Sequence, residues 1–216
     1  MSDEPAATSP TPAAVSELYG DALGTIEAYV SVLATRGVEW GLIGPREVPR
    51  LWERHVLNSV AIAGLIGAGA TVVDVGSGAG LPGIPLAVLR PDLDVVLLEP
   101  KVRRVDFLTQ TVDELGLGDR VRVVRARAEE HRATYDVVTC RAVAPLGQLL
   151  GWTSRLFLPD GELLALKGAS AEDEVAASRR ELGKVGAVAT VVSARAHEEA
   201  EPTYVVRVRR KPGGGF

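Results

Sequence analysis

The chain has 216 residues, 46% hydrophobic and 24% charged, which suits one α/β-sized domain with a full core and excludes a disordered or fibrous chain. One cysteine, Cys140, excludes an internal disulfide and fits a reducing compartment; no Cys/His cluster has zinc spacing, and no apolar run reaches the ~18 residues of a membrane span. The net charge of −4 hides an asymmetry: residues 1–30 hold five acids and no Lys or Arg, and basic clusters persist elsewhere at Lys101/Arg103/Arg104, Arg120/Arg122/Arg125/Arg127 and Arg207/Arg209/Arg210/Lys211. Charge therefore neither excludes nor argues for RNA, and each cluster reads first as a solvated face.

The start, MSDEPAATSPTPAA, is acidic and has no apolar stretch, so it is no signal peptide, and residues 1–13 read as a disordered tail. Residues 14–69 form a helical extension. Val15 to Thr35 is one amphipathic helix with Leu18, Ala22, Ile26, Tyr29, Val30 and Leu33 near one stripe, and Gly37 is its stop. EWGLIGPREVP is a loop, and Pro49 opens a helix continued by RLWERHVLNSVAIAGLIG. Residues 70–210 then alternate strand and helix. Strands are expected at 71–75, 94–99, 121–126, 135–140 and 162–167, with helices at IPLAVLR, at KVRRVDFLTQTVDELGLG, from Pro145 to about Phe157, and at AEDEVAASRRELGKVG. Two last strands, 187–193 and 203–210, are joined by a short polar link and pair antiparallel; residues 211–216 are a tail.

The fold class is therefore α/β, a seven-stranded sheet covered on both faces. In such sheets ligands bind beyond the carboxyl ends of the strands, where strand order reverses. Asp74–Gly83, Glu99, Ala128–Glu129, Arg141 and Lys167 all fall at those ends. The stretch VVDVGSGAGLPGIPL lets a ligand approach the backbone closely, and the amides opening the next helix are expected to face it. Glu99 ends the following strand, where a carboxylate accepts hydrogen bonds from ribose hydroxyls. Two nucleoside cofactors compete. Gly78-Ala-Gly80-Leu-Pro-Gly83 matches the dinucleotide pattern, but its glycines come late, after Gly76 has made the turn. Asp74-x-Gly76-x-Gly78-x-Gly80 sets an acid in the strand end, suited to the cationic amino-acid end of S-adenosylmethionine, directly or through water, and the antiparallel closing strand favours that class.

RHVLNS (54–59), VVDVGSGAGLPGIPLAVLRP, LLEPKVRRVDFL, ARAEE, CRAVAPL and ALKG together resemble the RsmG (GidB) family of bacterial 16S ribosomal RNA methyltransferases, which modify N7 of a guanine in the decoding region. The resemblance runs from about Tyr29 to Arg209. It implies the Rossmann-like methyltransferase fold with N-terminal helices. It implies S-adenosyl-L-methionine as cofactor, 16S rRNA within a small-subunit particle as substrate, and a cytoplasmic monomer with no membrane or DNA partner. Carried over by position, it implies a cofactor site at Asp74, Gly76, Gly78, Leu81, Glu99, Pro100, Lys101, Ala128, Glu129 and Arg141. Leu81 serves there as an apolar wall, and Ala128 and Glu129 suit the adenine. Arg54, His55, Arg141 and Lys167 are candidates for RNA contact, the last two also for positioning. Two departures stand in the helical part: the family's RH-x-x-D-S acid is Asn58, and the Asn-Leu-Thr stretch before it is Gly41-Leu42-Ile43.

Guanine N7 carries an in-plane lone pair and loses no proton before attack, so no catalytic base is assigned and no metal is needed; orientation and exclusion of water supply the acceleration. Adenine N6 chemistry is disfavoured because CRAVAPL stands where an Asp/Asn-Pro-Pro-Tyr element would lie. Cytosine C5 chemistry would need Cys140 as nucleophile, and that residue reads better as a small buried side chain. A binding module using the pocket as a sensor, and a nicotinamide oxidoreductase, remain as alternatives. With three Trp, four Tyr and three Phe, broad base stacking is not expected, and Lys/Arg contacts to phosphate carry affinity.

Overall fold

A computed structural model of the chain describes residues 8–212. Seven strands form one sheet: β1 (Thr71–Val75), β2 (Asp94–Leu98), β3 (Val121–Val124), β4 (Val137–Arg141), β5 (Glu162–Lys167), β6 (Ala187–Ala194) and β7 (Thr203–Arg210), in the order β3-β2-β1-β4-β5-β7-β6. β1 pairs parallel with β2 and β4, and order reverses there; β7 runs antiparallel between β5 and β6. Alternation along β1 divides two cores. Val72 faces the N-terminal helices, while Val73 and Val75 face the opposite layer.

The first layer holds α1 (Ala13–Tyr19), α2 (Leu23–Val32), α3 (Asn58–Val60), α4 (Gly83–Leu89) and α5 (Val102–Glu114). α5 turns Phe107, Leu108, Thr111 and Val112 inward, one stripe of an otherwise polar helix. Ile26, Tyr29, Leu33, Trp52 and Val56 share this core with Leu86, Leu97 and Phe107, so the helical extension is continuous with the sheet. The second layer holds α6 (Leu146–Phe157), α7 (Ala171–Ala177) and α8 (Arg179–Lys184), packed through Leu146, Leu149, Phe157 and Leu182 on Val138, Leu163 and Val206. No helix among the described residues is long and apolar enough to cross a membrane.

Several expectations need correction. Residues 15–35 are not one helix: Gly20, at φ +49°, breaks it, and a tight turn precedes α2. Gly37 is not the stop. It is buried inside a wide turn, Leu33–Gly37, where a Cβ would lie 3.4 Å from Ile43 Cγ1, and the winding ends at Gly41. Apolar periodicity does not register a one-residue change of winding. Pro45–Arg50, expected as loop, is a 3₁₀ turn, and a wide helical segment Leu51–Leu57 follows. Ser178 divides the expected helix after β5 into α7 and α8.

Residues 1–7 of the expected tail, and 213–216 of the closing one, lie outside the described residues. From residue 8 onward the tail is held: Ser9 Oγ donates to the Pro49 carbonyl (2.7 Å), Trp52 Nε1 donates to the Ser9 carbonyl (3.1 Å), and Thr11 Oγ1 donates to Glu27 (2.7 Å).

Candidate active site

The glycine stretch turns off β1 and is held from three sides. Gly76, at φ +71°, lies so near β4's following turn that a Cβ would sit 2.9 Å from Val143 Cγ2. Beneath the loop, Asp74 is fully buried; its Oδ2 accepts the Gly83 amide (3.1 Å) and its Oδ1 has no partner. Burial, opposed by the Gly83 hydrogen bond, pushes the Asp74 carboxyl up to about 7. From above, the buried Tyr29 hydroxyl donates to the Ala79 carbonyl (2.9 Å).

Across the loop Glu99 is 1% exposed, and its carboxylate is fixed by backbone donors: Gly78 N–H to Oε2 (3.1 Å) and Lys101 N–H to Oε1 (3.0 Å), with Arg104 at 3.6 Å. A carboxylate has about four lone-pair sites, so acceptor capacity remains for a ligand. Glu99 lines a cleft of about 370 Å³ with Gly76, Pro100, Lys101, Arg104, Arg127, Ala128, Glu129, Val143 and Trp152. Arg155 donates to the Glu129 carbonyl (2.5 Å) and pins the turn after β3.

A second cavity, of about 440 Å³, opens at the ends of β4 and β5; Asn58, Arg141, Pro145, Lys167 and Glu174 line it, and Ala142 and Val143 are common to both spaces. Ala142 holds φ +54°, a conformation that costs an L-residue about 1–3 kcal/mol and clusters at functional sites. Arg141 Nη1 donates to the Arg54 carbonyl (3.1 Å) and Asn58 Oδ1 (3.3 Å), and its Nη2 lies 2.5 Å from His55 Nδ1. Lys167 Nζ contacts Glu174 (2.7 Å) and the Ala144 carbonyl (2.7 Å).

A family model for "rRNA small subunit methyltransferase G" matches residues 23–202. A protein called ribosomal RNA small subunit methyltransferase G from Mycobacterium avium is 50% identical over 211 residues, covering 95% of this chain and 85% of the relative. One of the same name from Streptomyces avermitilis is 50% identical over 217 residues, covering 98% and 91%. The chain belongs to this family. Among solved structures, a SAM dependent methyltransferase from Aquifex aeolicus shares the fold, with TM-score 0.53 and 19% identity over 71% of this chain and 89% of that one.

In this member of the methyltransferase G family, the structure brings Gly76, Glu99, Pro100, Lys101, Ala128 and Glu129 to one cleft and Arg141 and Lys167 to its neighbour. Three residues expected at the cofactor site stand behind the cleft wall and not on it. Asp74 does not line the cleft; it holds the loop from below. Gly78 contributes its amide to Glu99, not to the cleft wall. Leu81 packs into the N-terminal core, because the loop folds back toward α2 before α4 begins. The amides opening α4 do not face the cleft either: Asp74 takes that of Gly83 and the Gly80 carbonyl takes that of Ile84.

Among the RNA candidates, Arg54 is exposed, with its backbone carbonyl spent on Arg141, whereas His55 is buried between Glu47 and Arg141 and offers no surface to RNA. Lys167 is an ion-pair partner, not a bare cation. Cys140, on β4 itself, is buried in the core with Leu146 and Leu150, and that burial pushes its thiol up to about 12, far from a nucleophilic thiolate. Sequence reasoning missed Trp152, Glu47 and Glu174. None sits in a motif: Trp152 and Glu174 lie on helices read only as packing, and Glu47 lies in a stretch read as a loop; Val143 and Ala142 belong to the CRAVAPL stretch.

Proposed function

We propose that this chain transfers the methyl group of S-adenosylmethionine to N7 of a guanine in the decoding region of 16S ribosomal RNA. The observation that carries the reading is the pair of adjoining cavities at the carboxyl ends of the sheet, one built around Glu99, the other around Arg141, with Ala142–Val143 as common wall. The residues present fit the cofactor. Glu99 is held to accept the ribose hydroxyls, Ala128 and Glu129 flank the adenine, and Gly76 lets the nucleoside approach the backbone. The amino-acid chain and the methyl group leave the same sulfur, so the carboxylate belongs near the junction. Arg141 is the cation there, with three of its five donors engaged by protein. Buried Asp74, with its unpartnered Oδ1, is the matching acid for the ammonium group, through water.

When bound, the cofactor supplies an electrophilic methyl group on a sulfonium. The protein's part is to hold the guanine edge-on in the second cavity with N7 in line, and to exclude water; no group in this cavity needs to take a proton. The strand order, with an antiparallel strand inserted before the edge, departs from the all-parallel 3-2-1-4-5-6 of dinucleotide folds and disfavours the nicotinamide alternative. The substrate is RNA inside a small-subunit particle, the protein works as a monomer in the cytoplasm, and exposed Lys101 and Arg127 on the cleft meet its phosphates.

The test is a transfer assay with methyl-labelled S-adenosylmethionine and small-subunit RNA, free and in particles, from cells lacking the enzyme. Label is expected in 7-methylguanosine. Label in another nucleoside would keep the cofactor site and overturn the acceptor, with 5-methylcytidine returning Cys140 to the reaction; no label would favour a binding module.

A further inference from the structure

The Arg141 guanidinium is half-buried, yet no carboxylate among the described residues forms an ion pair with it. Asn58, standing where the family pattern has an acid, offers only a neutral oxygen at 3.3 Å and spends its Nδ2 on Thr203 Oγ1 (2.8 Å). The contact at 2.5 Å is to a histidine nitrogen. Guanidinium groups only donate, so His55 Nδ1 must accept, and the ring proton sits on Nε2, which lies 3.0 Å from Glu47 Oε2. Glu47, on the 3₁₀ turn, thereby fixes the tautomer, as a carboxylate behind a metal-bound histidine does.

We propose that His55, set in one tautomer by Glu47, is the positioning residue that aims Arg141 at the cofactor's carboxylate. The inference rests on the reading of Arg141 given above. Two donors of Arg141 are left for that carboxylate, and the other three fix the plane in which they point. A protonated ring would turn an N–H against the guanidinium and undo the arrangement. The charged groups facing the ring are Glu47 with Arg50 behind it on the turn, Arg54 on its own helix, and Arg141 from β4. Burial and Arg141 lower the His55 pKa below its ordinary value, so the neutral form persists into mildly acidic solution.

The experiment is calorimetry of S-adenosylhomocysteine, without RNA, on the full chain and three variants. The amide of His55→Asn can place an acceptor where Nδ1 stands, whereas that of His55→Gln reaches toward Glu47. The Gln variant is expected to bind about tenfold more weakly and the Asn variant to stay within about threefold of the parent. Arg141→Ala should lose at least as much as the Gln variant, and adding His55→Gln to it should cost nothing further. Parent affinity should fall as pH drops below the ordinary histidine value of about 6.5, with the Asn variant lacking that step; Asp74 titrates in both proteins and cancels in their ratio. A ¹⁵N spectrum of the three histidines should show one ring with bare Nδ1 and protonated Nε2. Equal affinity in the Asn and Gln variants, or a proton on Nδ1, would overturn the proposal. Unchanged binding in Arg141→Ala would remove the reading beneath it as well. Neither result depends on which base is methylated.

Discussion

The two cavities meet at Ala142–Val143 but are built differently. The ribose end of the cofactor cleft is local: residues 76–78 and 98–101 supply its carboxylate, its glycine turn and the amides that fix Glu99, while Ala128, Glu129, Val143 and Trp152 only wall it. The acceptor side is assembled from Asn58, Arg141 and the Lys167–Glu174 stretch, three segments well apart in the chain, and its charges are tied to protein partners. A local site tolerates little change because each group serves its neighbour's backbone. An assembled one is tuned by positioning.

The largest effect is expected on the local side. Glu99→Ala removes both ribose acceptors and strands the Gly78 and Lys101 amides, so S-adenosylhomocysteine affinity should fall at least about 100-fold by calorimetry. A loss under about tenfold would mean that the nucleoside sits elsewhere. Gly76→Ala comes next. A Cβ 2.9 Å from Val143 at φ +71° must displace the common wall; a cost of about 1–3 kcal/mol in thermal or urea melts and weaker cofactor binding are expected together. Full stability and binding would show that the loop yields freely.

Asp74 sharpens the comparison through pH. Its carboxyl is raised to about 7 on folding, from the usual carboxylate value. The folded state therefore holds the extra proton. The stability this group contributes is fully present below its unfolded pKa and is lost as pH rises through 7. Ligand-free protein should lose roughly 2 kcal/mol between pH 5.5 and 8.5 from this group, and Asp74→Asn should flatten that slope while weakening cofactor binding. An unchanged slope in urea melts would place the charge elsewhere. The smallest effect belongs to the assembled side. Asn58→Asp restores the family's acid beside Arg141, and Thr203 can donate in return. Stability should change by no more than about 1 kcal/mol, and activity little, since His55 already sets the guanidinium.

The same contrast governs what could be read without coordinates. The sheet was legible because its strands are short β-branched runs: β1, β5 and β7 have the expected limits, and the antiparallel pair β6–β7 stands as read. Glu99 and Gly76 were legible because spacing from a strand end fixes them. Asp74 was legible as an important acid but not in its direction, since the path of the loop back to Gly83 is a tertiary fact. That Leu81 packs into the N-terminal core follows from the same path. His55 and Lys167 were singled out as RNA contacts, yet the partners that occupy them, Glu47 and Glu174, carry no pattern marking them as near. The helices before β1 were least legible, because Gly20 and the wide turns at Leu33–Gly37 and Leu51–Leu57 alter winding without altering apolar spacing.

The most direct test of two adjoining cavities with a divided role is a crystal structure of the complex with S-adenosylhomocysteine. The account predicts the ribose hydroxyls on the Glu99 carboxylate, the adenine between Ala128 and Glu129, and the amino-acid carboxylate on Arg141, leaving the cavity between Asn58 and Lys167 open for the base. A nucleoside bound away from Glu99, or a carboxylate held without Arg141, would contradict it.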